Sequence, residues 1–86
     1  MDKNIEELTL LLMYLTSWEE ESYIPDEEKG IKMDKIKTCW KGYNFDVIND
    51  LTNKQYLYNS SYKSKSVSLT KEGEKLAEEL MKKYIK

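Results

Sequence analysis

Apolar residues open the chain at helical spacing. Ile5, Leu8, Leu12 and Leu15 recur every three or four positions, and Leu11 and Trp18 widen the stripe, which predicts an amphipathic first helix. Asp2, Glu6 and Glu7 lie near its start, where the helix dipole favours negative charge. Leu10, Met13 and Tyr14 fall off that stripe. A helix apolar around so much of its circumference either occupies the middle of a core or packs on a second chain. Leu10, Met13 and Tyr14 are therefore the expected surface of a homodimer.

The next stretch, EEESYIPDEEKG over 19–30, is acidic and contains Pro25, which disfavours continued helix and predicts a solvated loop. Over 31–41, Met33, Ile36 and Trp40 fit a short helix with Lys32, Lys35, Lys37 and Lys41 at its margins. Ile31 and Met33 with the flanking lysines also fit an edge strand. Gly42 interrupts, and Asn44 is the expected N-cap of a helix running to about Asn53. Its apolar face is Phe45, Ile48 and Leu51 with Val47 alongside, and its outward face is Asp46, Asn49, Asp50 and Asn53. A hairpin is expected to follow: Tyr56 to Tyr58 as one strand, Asn59 to Ser64 as a polar turn, Lys65 to Leu69 as the return. Val67 and Leu69 alternate there with Ser66 and Ser68, the period of a half-buried strand. Thr70 caps a last helix with Glu72 and Glu74 in its first turn, Lys82, Lys83 and Lys86 in its last, and Leu76, Ala77, Leu80 and Tyr84 as its buried stripe.

Helix, short helix, helix, two-stranded hairpin, helix is an order that resembles a winged-helix domain. The run Val67-Ser68-Leu69-Thr70-Lys71-Glu72-Gly73 resembles the strand-to-helix junction of winged-helix transcriptional regulators. In that junction the threonine hydroxyl caps the helix and the glycine lets it approach the strand. Trp40-Lys41-Gly42, Phe45-Asp46, Ile48, Leu51 and the run Lys63-Ser64-Lys65-Ser66-Val67, together with Leu15-Thr16, are similar to a family of short, uncharacterised bacterial proteins. That family pairs a Trp-Lys-Gly element with a Lys-x-Lys-Ser-Val hairpin and a Leu-Thr helix start. It tends to have glycine where this chain has Gln55 and histidine near Trp18, and residues 19–37 look like an insertion. The resemblance implies an α+β, winged helix-turn-helix-like single domain over 1–86, with three to four helices, a two-stranded β-hairpin wing and an acidic loop at about 19–30.

Composition narrows the function. Eighty-six residues at 40% apolar content suffice for one core. There is no histidine, so imidazole bases, Ser-His or Cys-His nucleophile pairs and histidine metal ligands are excluded. A single cysteine, Cys39, cannot form an intrachain disulfide, which points to a reducing, cytoplasmic setting. Beside Trp40 it reads as a small buried apolar residue rather than a nucleophile. Trp18, Trp40 and the tyrosines read as core or interface mass. The longest mostly apolar run, Leu8 to Leu15, is short of the ~20 residues a membrane span needs. A non-enzymatic domain without metal or cofactor is expected. Glu19-Glu20-Glu21 and Asp26-Glu27-Glu28 do not follow the order of a calcium loop.

The net charge of −2 conceals an asymmetry. From Asp2 to Glu28 nine acids oppose Lys3, a net of −8, and from Lys29 to Lys71 nine lysines oppose Asp34, Asp46 and Asp50, a net of +6. Two functions follow as expectations. The first is a DNA-associated regulator on duplex DNA. Lys63 and Lys65 on the wing, extended by Lys41 and Lys54, would contact phosphates, and Asn49 and Asn53 would lie near adenines. Asp46 and Asp50 would repel phosphates on that helix, and no arginine is present to read guanine. The alternative is a protein-binding adaptor or inhibitor, mobile-element-encoded in its most specific form. There Glu19, Glu20, Glu21, Asp26, Glu27 and Glu28 would engage a basic partner such as a nucleic-acid enzyme.

Overall fold

The structure is a computed structural model that describes residues 3–59 and 63–85, and of Pro25 only the backbone. Among those residues the chain is α+β: α1 (Lys3–Leu15), β1 (Trp18–Asp26), β2 (Gly30–Trp40), α2 (Phe45–Asn53), β3 (Ser66–Ser68) and α3 (Lys71–Tyr84). The strands form one antiparallel sheet in the order β1-β2-β3. One expectation is corrected here and one alternative decided. Residues 19–26 are strand rather than loop, and of the two readings of 31–41 the strand holds, as the central strand rather than an edge; together they make a long hairpin closed by a turn at 27–29, with Gly30 at φ +81°. In that turn Asp26 accepts the Lys29 backbone N–H at 3.2 Å.

Charge pairing explains why an acidic run forms a strand. Glu19 stands opposite Lys37 and Glu21 opposite Lys35, and the Glu19 carboxylate lies 3.1 Å from Lys37 Nζ. The acidic and basic stretches of the sequence thus meet across one ladder, where opposite charges support pairing. The Lys37 hydrogen bond holds the Glu19 carboxyl below its usual range. Pro25 is tolerated because β1 is an edge strand and needs no ladder hydrogen bond on its open side.

The two-stranded wing expected at 56–69 is also corrected. Val67 and Leu69 are buried and Ser66 and Ser68 half-buried, as the alternation requires. The main partner of β3, however, is the end of β2 (Thr38 to Trp40), and the 56–58 segment contributes one bridge, Leu57 to Leu69. The expected wing tip at Ser60, Ser61 and Tyr62 lies outside the described residues. Because β3 meets only that end of β2, the outer part of the β1–β2 hairpin runs past it as a finger laid against the domain: Ile24 and Ile36 are buried on one of its faces, and Lys71 Nζ donates to the Lys35 carbonyl at 3.2 Å.

The core joins Leu10, Leu11 and Met13 of α1, Cys39 of β2, Val47, Ile48 and Leu51 of α2, Leu57, Val67 and Leu69, and Ala77 and Leu80 of α3. Leu10 and Met13 are fully buried, and Tyr14 packs half-buried against the same cluster. They are therefore interior residues, not a dimer surface. The predicted stripe lies outside instead: Ile5, Leu8, Leu12 and Leu15 are each 47–48% exposed. Phe45, expected in the core, is 65% exposed. Glu6 is the buried polar residue of α1, and Lys54 Nζ donates to both of its carboxylate oxygens, at 3.0 and 3.1 Å.

Local signals worked well at two helix starts. Asn44 accepts the Asp46 N–H at 2.8 Å, and Thr70 accepts the Gly73 N–H at 3.0 Å. Thr70 also donates to the Gln55 carbonyl at 2.6 Å, and its N–H reaches the Tyr56 carbonyl at 3.1 Å. This clasp ties the tail of α2 to the start of α3. Gln55 at its centre has φ +68°, left-handed backbone that costs a side-chain-bearing residue ~1 kcal/mol and that glycine adopts freely.

Candidate nucleic-acid interface

The end of β2 positions the site. Trp18, Thr38 and Ser68 share one face of the sheet, and alternation puts Trp40, opposite Ser66, on that face too. The opposite face carries Cys39 and Val67 into the core. Thr38 and Ser68 link hydroxyls at 2.9 Å, and the indoles of Trp18 and Trp40 lie 5.0 Å apart at 52°. Trp18 is fixed further by its indole N–H, which donates to Glu20 at 2.7 Å. Trp40 remains 64% exposed, unusual for a residue that buries so much apolar surface elsewhere.

Lysines border this ring system. The Lys41 N–H donates to the Lys65 carbonyl at 2.8 Å, so these two residues leave adjacent strand ends beside Trp40, and Lys63 is two positions before Lys65. Phe45 lies just beyond, at the start of α2. Two of the lysines expected on phosphate, Lys41 and Lys65, are thus brought together at one pole, with Lys63 close to them along the chain. Lys54 is not among them: it caps the far end of α2, roughly 15 Å along the axis from Asn44, and is paired with Glu6. Asn49 and Asn53 are exposed on α2, away from this pole toward the Lys54 end. Asp46 brings a carboxylate to the first turn of α2.

The acidic residues do not assemble into one surface. Successive residues of β1 alternate faces, so Glu20 points away from Glu19 and Glu21. Glu19 and Glu20 are occupied by Lys37 and Trp18, Asp26 by the turn, and Glu27 and Glu28 are exposed at the turn itself. Among the described residues no three metal-ligating side chains converge, and no helix is long and apolar enough to cross a membrane.

The exposure of Trp40 was hidden in the sequence because the spacing of Met33, Ile36 and Trp40 imitates a helix. In the strand Trp40 lies on the face opposite Cys39, and its exposure comes from its place at the strand end, since Ile36 and Thr38 on that same face are 7% and 2% exposed.

Cys39 itself is buried, and burial pushes its thiol up to about 11. In the unfolded chain the thiol ionises near ~8.5. Its contribution to stability is therefore complete below that pH and is lost as pH climbs through 11. A thiol reagent at pH 8 is expected to label Cys39 slowly in the native protein and rapidly in denaturant. Equal rates would show that β2 opens readily.

These features define an α+β domain with an aromatic, lysine-bordered sheet end. A family model described as a domain of unknown function (DUF6429) matches residues 1–86, and the chain belongs to that family. Comparison with the curated proteins gives no match, and comparison with the solved structures gives none.

Proposed function

We propose that the domain is a small, non-enzymatic nucleic-acid-associated protein whose contact surface is the Trp40 pole. The observation that carries this reading is an indole 64% exposed beside the strand ends that bear Lys41 and Lys65. Aromatic faces that stack on bases, combined with cations that follow the phosphates, are the chemistry of single-strand binding. Stacking does not need arginine, and it does not depend on the acidic face of α2. A duplex hides its base faces, so the exposed indole favours single strands over the duplex expected from sequence alone.

The test is a titration followed by the fluorescence of Trp18 and Trp40. A single-stranded oligonucleotide should quench it at lower concentration than a duplex of equal length. With three lysines engaged, the logarithm of affinity should fall with the logarithm of salt at a slope of about −2. Trp40→Ala should weaken binding by ~1–3 kcal/mol while leaving circular dichroism unchanged. Silence toward both oligonucleotides at low salt removes the reading.

A second reading, a protein-binding domain that uses an apolar patch rather than the acidic residues, is favoured by the outer part of the β1–β2 hairpin, where Tyr23, Met33 and Ile31 are 71, 52 and 66% exposed. Tyr23 and Met33 are cross-strand partners and Ile31 lies on their face, so the three form one apolar patch. That patch lies seven residues along β2 from Trp40, so Tyr23→Ser with Met33→Ser should leave the oligonucleotide titration unchanged while removing any protein contact made there.

A further inference from the structure

We propose that two copies of this chain pair through the outward face of α1. Ile5, Leu8, Leu12 and Leu15 are spaced three, four and three apart, the a and d positions of two successive heptads, and each is about half exposed. The inward face of the same helix is already filled by Leu10, Leu11 and Met13, so α1 has two apolar faces and its own domain covers one of them.

The flanks identify the occupant. The positions beside the seam, in heptad terms e and g, are Asn4, Thr9, Leu11 and Thr16, none of them charged. Charges at those positions are what select a different partner in paired helices. Without them the seam is self-complementary: a two-fold axis brings no like charges together. Glu7, the nearest carboxylate, is drawn toward α3, where it accepts from the Tyr84 hydroxyl at 3.0 Å and lies 3.4 Å from Lys83. Antiparallel pairing sets Ile5 against Leu15 and Leu8 against Leu12 of the second copy, and aligns each helix dipole with the opposite end of its neighbour. A seam of four side chains per copy is smaller than the ~1,600 Å² of a standard interface, so pairing is expected to be reversible.

This inference does not depend on the nucleic-acid reading. Sedimentation equilibrium across micromolar to millimolar concentrations should show mass rising from 10.3 kDa toward twice that value. Leu8→Lys with Leu12→Lys should hold the protein at the monomer mass with its helical signal intact. Tyr23→Ser with Met33→Ser, which alters the finger, should leave the dimer in place. The wild-type denaturation midpoint should also rise with protein concentration, a readout that survives if the lysine variant fails to fold. A monomer at all concentrations, a dimer abolished by the finger variant, or open-ended aggregation would each overturn the proposal.

Discussion

Gly73→Ala is expected to destabilise the domain by ~3 kcal/mol, the upper end of what overpacking costs and a large share of the ~5–15 kcal/mol that holds a domain together. Helix propensity alone gives the opposite sign, since alanine is ~1 kcal/mol more favourable than glycine within a helix. The contact decides. A Cβ on Gly73 would overlap the Tyr56 carbonyl oxygen and sit 3.0 Å from its carbonyl carbon. Backbone cannot rotate away as a side chain can, and the same carbonyl already accepts the Thr70 N–H. Relief would require sliding α3 off the 55–58 segment and breaking the Thr70 clasp. Urea denaturation measures this directly, and a shift smaller than ~0.5 kcal/mol would mean that the clasp is loose.

Leu10→Ala is expected to cost ~2–5 kcal/mol, because the side chain is completely enclosed and its removal leaves a cavity. Leu12→Ala, at concentrations where the monomer prevails, should change stability by less than ~1 kcal/mol, because that side chain is already half in water. The pair discriminates sharply between the two faces of α1, since a sequence-based choice of stripe ranks them the other way round. Equal losses would show that the helix is rotated from the orientation described.

That inversion shows where sequence reading stops. Ile5, Leu8, Leu12 and Leu15 form the more regular stripe, yet Leu10, Leu11 and Met13 carry the packing. Periodicity measures how apolar a face is and is blind to what waits opposite it. On α1 the deciding contacts include Glu6 with Lys54, forty-eight residues away along the chain. The long hairpin was illegible for a related reason. Glu19, Glu20 and Glu21 read as solvated until Lys37 and Lys35 stand opposite two of them. The candidate site is half legible: composition and spacing point to Lys41, Lys63 and Lys65, whereas the spacing of Trp40 and Phe45 reads as packing although both rings are exposed. Composition also groups Lys54 with these lysines, although α2 carries it to the far end of the helix.

By itself the sequence determined the α+β class, the span of α2 and its Asn44 cap, the Thr70 cap of α3, and the alternation through β3. Each of these is satisfied within a few residues by a capping oxygen or a period of 3.6 or 2, so local chemistry suffices. Tertiary structure alone decided which face of α1 turns inward, that residues 18–26 are a strand paired with 30–38, that β3 joins β2, and that Trp40 looks outward. Those outcomes depend on partners distant in sequence, where burial and charge pairing outweigh local preference by several residues' worth of contact.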